Sequence, residues 1–207
     1  MVLRVDVLGA AGGETPEEAM TSFVLGESVA FDAGGLTRSL HLEAQLALES
    51  VLVSHAHLDH VRDLATLADT RAQRRAKPLV VYGLPVTLRA LTHHLFNNQI
   101  WPDFTRLPSV RRPALKLVEV RPGEVIRTGG LSISCVPVNH SIDTVGVVVK
   151  SRGRAILFSG DTGPTERLWK VARDLGRELR AVFVECSFPR RLARLAEISG
   201  HLSPDTL

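Results

Sequence analysis

The densest group of residues that could do chemistry is Ser54–His60, which reads SHAHLDH. It holds three of the eight histidines of the chain and one aspartate, directly after a predicted strand. Alternate side chains of an extended segment point the same way, so His55 and His57 can face one metal ion. Asp59 and His60 follow at the start of a predicted helix and can face a second ion. Imidazole nitrogen and carboxylate oxygen suit two divalent ions, with Zn²⁺ expected and Mn²⁺ or Fe²⁺ as alternatives.

The elements that must position these residues follow from periodicity. Three helices are predicted from apolar residues at helical spacing, at 61–68, at 84–95 and at 168–175. Pro164 is expected in the first turn of the last helix. Residues 97–130 are expected to be mostly loop. Strands are predicted at 2–8, 22–25, 28–32, 52–55, 79–82, 131–138, 144–150, 154–159 and 181–185.

A pattern of strand, polar loop and helix at 51–68 recurs at 154–175. This weak repeat suits two βα halves that face one another, with the functional side chains on loops at strand ends.

The composition bounds the class of protein. A chain of 207 residues, 44% of them hydrophobic, suits one domain over 1–207. Two cysteines, Cys135 and Cys186, are too few for a disulfide framework and lack zinc-ribbon spacing. Apolar runs fall short of the ~20 residues that span a bilayer, so no membrane partner is expected. The N-terminal segment is too interrupted for a secretory signal, and a cytoplasmic location is therefore expected.

The formal charge of +3 is mildly basic, and the arginines are scattered. The densest cluster is Arg71, Arg74, Arg75 and Lys77, and Arg111–Arg112 is a smaller one. Each cluster is short, so a solvated face is the favoured interpretation and nucleic acid is not expected as a partner. A basic balance also suits a small anionic substrate.

The motif HxHxDH after a strand resembles the signature of the metallo-β-lactamase superfamily. The resemblance implies an α/β fold, an αββα sandwich of two facing mixed sheets flanked by helices, with one or two metal ions at a sheet edge. His140 in VPVNH matches a further histidine ligand of the family, and Asp161 in LFSGDTG matches its bridging aspartate. A solvent-facing histidine and a helix cap are the alternatives for these two residues.

A narrower resemblance covers most of the chain. HAHLDH, FNNQIWPDFTRLP at 96–108, VECSFP at 184–189 and GHLSP at 200–204 are similar to class II cyclic-nucleotide phosphodiesterases. The resemblance implies hydrolysis of a small anionic nucleotide, cAMP or cGMP, to the 5′-monophosphate by a metal-bridging hydroxide held by Asp161. Asp59 and His201 are expected to be catalytic. His201 is the expected acid for the leaving ribose oxygen, with a structural histidine as the alternative.

Further roles follow from position. Asp32, Ser54 and Glu185 are expected to orient the site histidines through their second ring nitrogens. Trp101, Phe104 and Phe188 could stack on a purine, with core packing as the alternative for Phe188. The 96–108 segment is the expected contact of a possible homodimer. The superfamily usually adds a histidine ligand after a last strand, and the domain is expected to lack that strand and ligand.

Three other functions remain open at this point. A tRNA 3′-processing endonuclease would share the metal motif, although its flexible arm rich in Gly, Pro and Lys has no counterpart in the sequence. Another hydrolase of the same fold would also share the motif, because metal ligands do not encode the substrate. An inactive module that only binds nucleotide would suit an incomplete set of ligands.

Overall fold

In the computed structural model, which describes residues 3–207, the chain divides into two compact units. The N-terminal unit is Arg4–Val120, and the C-terminal unit contains Arg121–Leu207. Each unit contains its own sheet and helices. The expectation of one domain over 1–207 stays a prediction.

The N-terminal unit is built on a six-stranded sheet with the order β1-β2-β3-β4-β5-β8. Strands β1 to β3 pair antiparallel, and β3, β4, β5 and β8 run parallel. Strands β6 and β7 form a separate antiparallel hairpin. The strands are β1 (Val5–Gly9), β2 (Ser22–Leu25), β3 (Val29–Phe31), β4 (Ser50–Leu52), β5 (Leu79–Gly83), β6 (Pro108–Ser109), β7 (Arg112–Pro113) and β8 (Leu115–Glu119).

The helices of this unit confirm the predicted apolar spacing. Val61, at the end of one helix, and Leu64 and Ala68, in the next, are all buried, as the predicted period of 3.6 residues requires. A proline at the first position of α5 suits a helix start, because that position needs no backbone donor. The helices are α1 (Leu36–Ser39), α2 (Leu42–Ala47), α3 (Leu58–Val61), α4 (Asp63–Gln73) and α5 (Pro85–Ala90), which continues as a π-helical turn over Leu91–Leu95.

The C-terminal unit has a five-stranded sheet with the order β13-β12-β11-β10-β9. Its strands pair antiparallel except for β12 and β13, which are parallel. The parallel pair is joined through α6, as a parallel connection requires. The elements are β9 (Val125–Thr128), β10 (Leu131–Val138), β11 (Thr144–Ser151), β12 (Arg154–Phe158), α6 (Glu166–Leu175), β13 (Leu179–Phe183) and α7 (Ala193–Ser199).

Several predicted boundaries are wrong. The strand expected at 52–55 ends at Leu52, because the backbone N–H of Ser54 bonds to the Asp32 carboxylate instead of a neighbouring strand. Residues 97–130 are mostly loop, as expected, but they also contain the short strands β6 to β9, which were not predicted. Pro164 precedes α6, whose N-cap is Thr165. Residue 2 of the first predicted strand lies outside the described residues.

The aromatic residues of the 96–108 segment belong to the core of the N-terminal unit. Phe104 is only 5% exposed and joins the main apolar cluster. Trp101 packs against the same cluster, and its indole N–H donates to the Ala65 carbonyl at 2.9 Å. The expectation that Phe104 stacks on a purine is therefore wrong, and Trp101 is held by its own unit. The dimer contact expected on this segment stays a prediction.

Across residues 3–207, no helix combines the length and the apolar character needed to cross a membrane.

Candidate metal centre

The histidine-rich loop of the N-terminal unit is fixed by a buried carboxylate. Asp32 follows β3 directly and adopts a positive φ of 59°. One of its oxygens accepts the backbone N–H of Ser54 at 2.8 Å. The other oxygen lies 2.9 Å from Ser54 Oγ and 2.7 Å from His60 Nδ1. Because β3 and β4 are parallel neighbours, the residue after β3 can reach the loop after β4.

This contact prepares His60 as a ligand. Burial raises the pKa of Asp32, while the charge of His60 and hydrogen bonds from His60 and Ser54 oppose the rise. When Asp32 is ionised it only accepts, so His60 Nδ1 is the protonated nitrogen and the lone pair lies on Nε2. A metal-binding histidine needs this arrangement, in which the second ring nitrogen donates to a carboxylate.

The other donors of the loop converge beside His60. His55 Nε2 lies 3.0 Å from His57 Nδ1, and the rings of His55 and His60 have centroids 4.2 Å apart. Asp59 Oδ2 is 3.5 Å from His60 Nε2. Two nitrogens bound to one tetrahedral zinc lie about 3.3 Å apart, from Zn–N bonds of about 2.0 Å. The spacing of His55 and His57 therefore fits a shared metal ion.

A glycine allows this loop to pack closely. A Cβ on Gly34 would overlap the backbone carbonyl of Asp59, so any side chain there would displace α3. The backbone N–H of Ala33 also donates to the His60 carbonyl at 2.7 Å. The segment after β3 thus holds the metal-binding loop through both side chain and backbone.

A second donor set lies in the C-terminal unit. His140, Asp161 and His201 each offer one ligand atom, and these three atoms lie within 4.8 Å of one another. His140 Nδ1 is 2.9 Å from the Gly200 carbonyl, which only accepts, so the lone pair of His140 lies on Nε2. The rings of His140 and His201 are nearly perpendicular, with centroids 4.8 Å apart.

Glu185 organises this second set. Its Oε1 accepts the backbone N–H of Thr162 at 2.8 Å and lies 2.8 Å from His201 Nδ1. Its Oε2 accepts the backbone N–H of Ser187 at 3.0 Å, the Ser187 hydroxyl at 2.7 Å and the backbone N–H of Leu202 at 3.3 Å. Five hydrogen bonds to one carboxylate tie the loop after β12 to the segment that carries His201.

Within the N-terminal unit, the predicted donors His55, His57, Asp59 and His60 lie beside one another. Within the C-terminal unit, His140 and Asp161 lie together with His201. The predicted contacts of Asp32 and Ser54 with the expected metal-binding histidines are confirmed, since they lie beside His60 and His55. Glu185 instead contacts His201, the expected acid.

The structure places His201, the expected acid, beside the two expected ligands His140 and Asp161. One feature of the second set was not predicted from the sequence, namely that the carbonyl of Gly200 orients His140. The only signal for it is the glycine that precedes His201 in GHLSP.

The comparison with protein families decides the classification. The family described as the beta-lactamase superfamily domain matches residues 30–206. The chain belongs to the metallo-β-lactamase superfamily. Members of this superfamily are hydrolases, and their fold implies binding of divalent metal ions. The resemblance inferred from HxHxDH is confirmed.

Relatives of this superfamily member include two kinds of enzyme. A 3′,5′-cyclic-nucleotide phosphodiesterase of Aliivibrio fischeri is 28% identical over 175 residues, which are 77% of this chain and 51% of the relative. A ribonuclease Z of a Bradyrhizobium species is 33% identical over 138 residues, 64% of this chain and 44% of the relative. The chain spans about half the length of the curated relatives it matches.

The fold is shared with solved structures. The structure of unliganded yeast PDE1 has a TM-score of 0.82 and 22% identity, and the alignment covers 100% of this chain and 81% of that chain. The predicted α/β metallo-β-lactamase fold, with mixed sheets and helices, is confirmed.

Proposed function

We propose that this metallo-β-lactamase superfamily member is a metal-dependent phosphodiesterase that hydrolyses 3′,5′-cyclic nucleotides to 5′-monophosphates. Two divalent ions, with zinc as the first choice, are the proposed cofactors. Their proposed ligands are His55, His57, Asp59, His60, His140 and Asp161.

The observation that carries the proposal is the preparation of the histidines for metal binding. His60 and His140 each present Nδ1 to an oxygen acceptor, which leaves the lone pair on Nε2. A structural histidine on a protein surface needs no such acceptor. The choice of substrate is supported by the relatives named cyclic-nucleotide phosphodiesterase and by the WPDF and GHLSP segments.

Divalent ions would supply two kinds of chemistry, a water nucleophile near neutral pH and neutralisation of charge on the phosphate oxygens. The protein's own groups must then deliver a proton. Hydrolysis breaks the bond between phosphorus and the ribose 3′-oxygen, and that oxygen leaves as an alkoxide. His201 is proposed to donate the proton from Nε2, because Glu185 holds Nδ1 and stabilises the charged imidazole.

The test is hydrolysis of cAMP and cGMP by the purified chain with added Zn²⁺ or Mn²⁺, and with a chelator in parallel. We expect chelator-sensitive release of 5′-AMP or 5′-GMP and measurable bound metal. His140→Ala should lose metal and activity. His94→Ala is the matched control, because His94 is exposed on the π-helical turn and should leave both unchanged.

A folded chain that binds metal without cyclic-nucleotide turnover would refute the substrate assignment. The ribonuclease Z relatives favour one alternative, cleavage of a tRNA precursor at its 3′ end. A radiolabelled tRNA precursor in the same metal buffers would distinguish the two functions. A folded chain without bound metal would refute the metal centre itself.

A further inference from the structure

Two segments of the N-terminal unit carry basic residues without any acidic ones. Residues 70–77 and 104–118 contain no aspartate or glutamate. Their basic residues are Arg71, Arg74, Arg75, Lys77, Arg106, Arg111, Arg112 and Lys116. Arg71 is buried and donates to backbone carbonyls, so it serves the fold. The other seven side chains are exposed.

The structure joins these two segments, which are distant in sequence. The guanidinium of Arg112 donates to the Arg75 carbonyl at 3.2 Å. Strands β5 and β8 pair in parallel with Leu79 opposite Leu115, so the chain before β5, with Lys77, runs beside the hairpin of β6 and β7. We call Arg74, Arg75, Lys77, Arg111 and Arg112 the basic surface.

The charges of the basic surface are not neutralised internally. Within residues 3–207, none of its five side chains forms an ion pair. The acidic residues closest in sequence accept hydrogen bonds from side chains of their own segments: Asp69 from Gln73, and Asp103 from Thr105. Five cations of one sign therefore face solvent together, an arrangement that attracts polyanions.

The basic surface is separate from the metal-binding loop. That loop lies at the N-terminal end of α4, and Arg74 and Arg75 follow its C-terminal end. The helix has 11 residues, so its ends are about 16 Å apart at 1.5 Å per residue. A cyclic nucleotide bound by the loop cannot reach the basic surface, and these cations are not part of a small-substrate pocket.

We infer that the basic surface is a docking site for the phosphate backbone of a nucleic acid. Four of its five cations are arginines, whose planar guanidinium groups match phosphate oxygens. The exposed large apolar residues at this hairpin are Val110, 71% exposed at its tip, and Leu107, 41% exposed at its base. Two such side chains are far less than the apolar helix face that interfacial membrane binding needs. The expectation that nucleic acid is not a partner rested on short separate clusters, which the fold joins.

The test compares two triple variants. R74Q/K77Q/R111Q removes three charges from the basic surface and keeps Arg75, which has a positive φ, and Arg112, which bonds to it. The matched control is R167Q/R177Q/R180Q, which removes three exposed arginines of the C-terminal unit that form no ion pair within the part of the chain that the structure describes. Both variants keep the proposed metal ligands, and cyclic-nucleotide hydrolysis and circular dichroism would verify that each is intact.

The probe is a fluorescein-labelled single-stranded RNA of about 20 nucleotides, long enough for several phosphate contacts. Binding is measured by fluorescence anisotropy over a range of salt concentrations. Log affinity falls with log salt concentration, and loss of three phosphate contacts should make this slope shallower by about 2. Binding should weaken roughly 100-fold near 0.1 M salt. The control variant should bind within about threefold of the wild type.

Equal losses in both variants would mean that net charge alone drives binding, and would overturn the inference. Wild-type protein that fails to bind RNA, or that binds vesicles of phosphatidylserine and phosphatidylcholine instead, would overturn it as well. Because the readout is binding rather than turnover, failure of the inference leaves the proposed phosphodiesterase activity untouched.

Discussion

Glu185→Gln is the substitution whose effect follows most directly from the structure. Glutamine keeps the shape of the side chain but replaces one acceptor oxygen with an N–H₂ donor. Five donors meet the carboxylate of Glu185. If the remaining oxygen serves Thr162 and His201, the new N–H₂ group faces the backbone N–H groups of Ser187 and Leu202.

The magnitude can be worked from this geometry. The Ser187 hydroxyl can rotate and accept from the new amide, but the two backbone N–H groups lose their acceptor. A hydrogen bond to a charged group contributes about 1.5–3 kcal/mol, and Glu185 is only 10% exposed. Local relaxation recovers part of this loss, so we expect about 3 kcal/mol of destabilisation. At 2–4 °C per kcal/mol for a chain of this size, Tm should fall by roughly 6–12 °C.

The assay is thermal unfolding of the metal-free protein followed by circular dichroism. Glu178→Gln is the matched control, since Glu178 pairs with Lys150 at 2.8 Å but the two side chains are 50% and 44% exposed. An exposed ion pair contributes at most about 1 kcal/mol, so the control should move Tm by no more than about 4 °C. If Glu185→Gln lowers Tm no more than Glu178→Gln does, the carboxylate of Glu185 does not organise the second donor set and the reasoning is refuted.

Two further predictions concern Gly200 and the cysteines. Gly200→Ala forces a side chain into a φ of 71° and places its Cβ 3.1 Å from the Cα of His140, so it should lower both stability and metal affinity. Gly176→Ala, at a φ of 49° with open space, should cost only about 1 kcal/mol and leave metal affinity unchanged in a titration. Burial raises the pKa of Cys135 to about 11, whereas Cys186 is exposed, so iodoacetamide at about pH 8 should label Cys186 alone in the native protein. Labelling of Cys135 before unfolding, seen by peptide mapping, would contradict this.

The apolar periodicity of the sequence predicted much of the fold. The helical face from Val61 to Ala68 and the three strands from β10 to β12 lie close to their expected positions. Errors occur where a side chain competes with backbone pairing. Asp32 accepts the backbone N–H of Ser54, so β4 ends earlier than expected. The alternation of apolar and polar residues along a strand does not predict such a contact.

The expectation for Phe104 in the 96–108 segment is wrong for a different reason. Aromatic residues in a segment rich in proline suggested an exposed loop and a stacking pocket. Phe104 instead fills the core, and Trp101 satisfies its indole N–H on the Ala65 carbonyl of α4. A single sequence does not distinguish an aromatic that lines a pocket from one that packs inward, because both need the same apolar surface.

The two carboxylates that support the donor sets follow one structural rule. Asp32 and Glu185 both come just after a strand whose neighbour is parallel, β3 beside β4 and β13 beside β12. Parallel neighbours end at the same sheet edge, so each carboxylate reaches the loop after its neighbour and accepts a backbone N–H at 2.8 Å. Each also holds the Nδ1 of a histidine, at 2.7 Å and 2.8 Å. The recurring strand–loop–helix pattern of the sequence could therefore indicate where a supporting carboxylate belongs. It could not indicate which histidine the carboxylate holds, because His60 lies in α3, soon after the neighbouring strand, while His201 is brought in by α7.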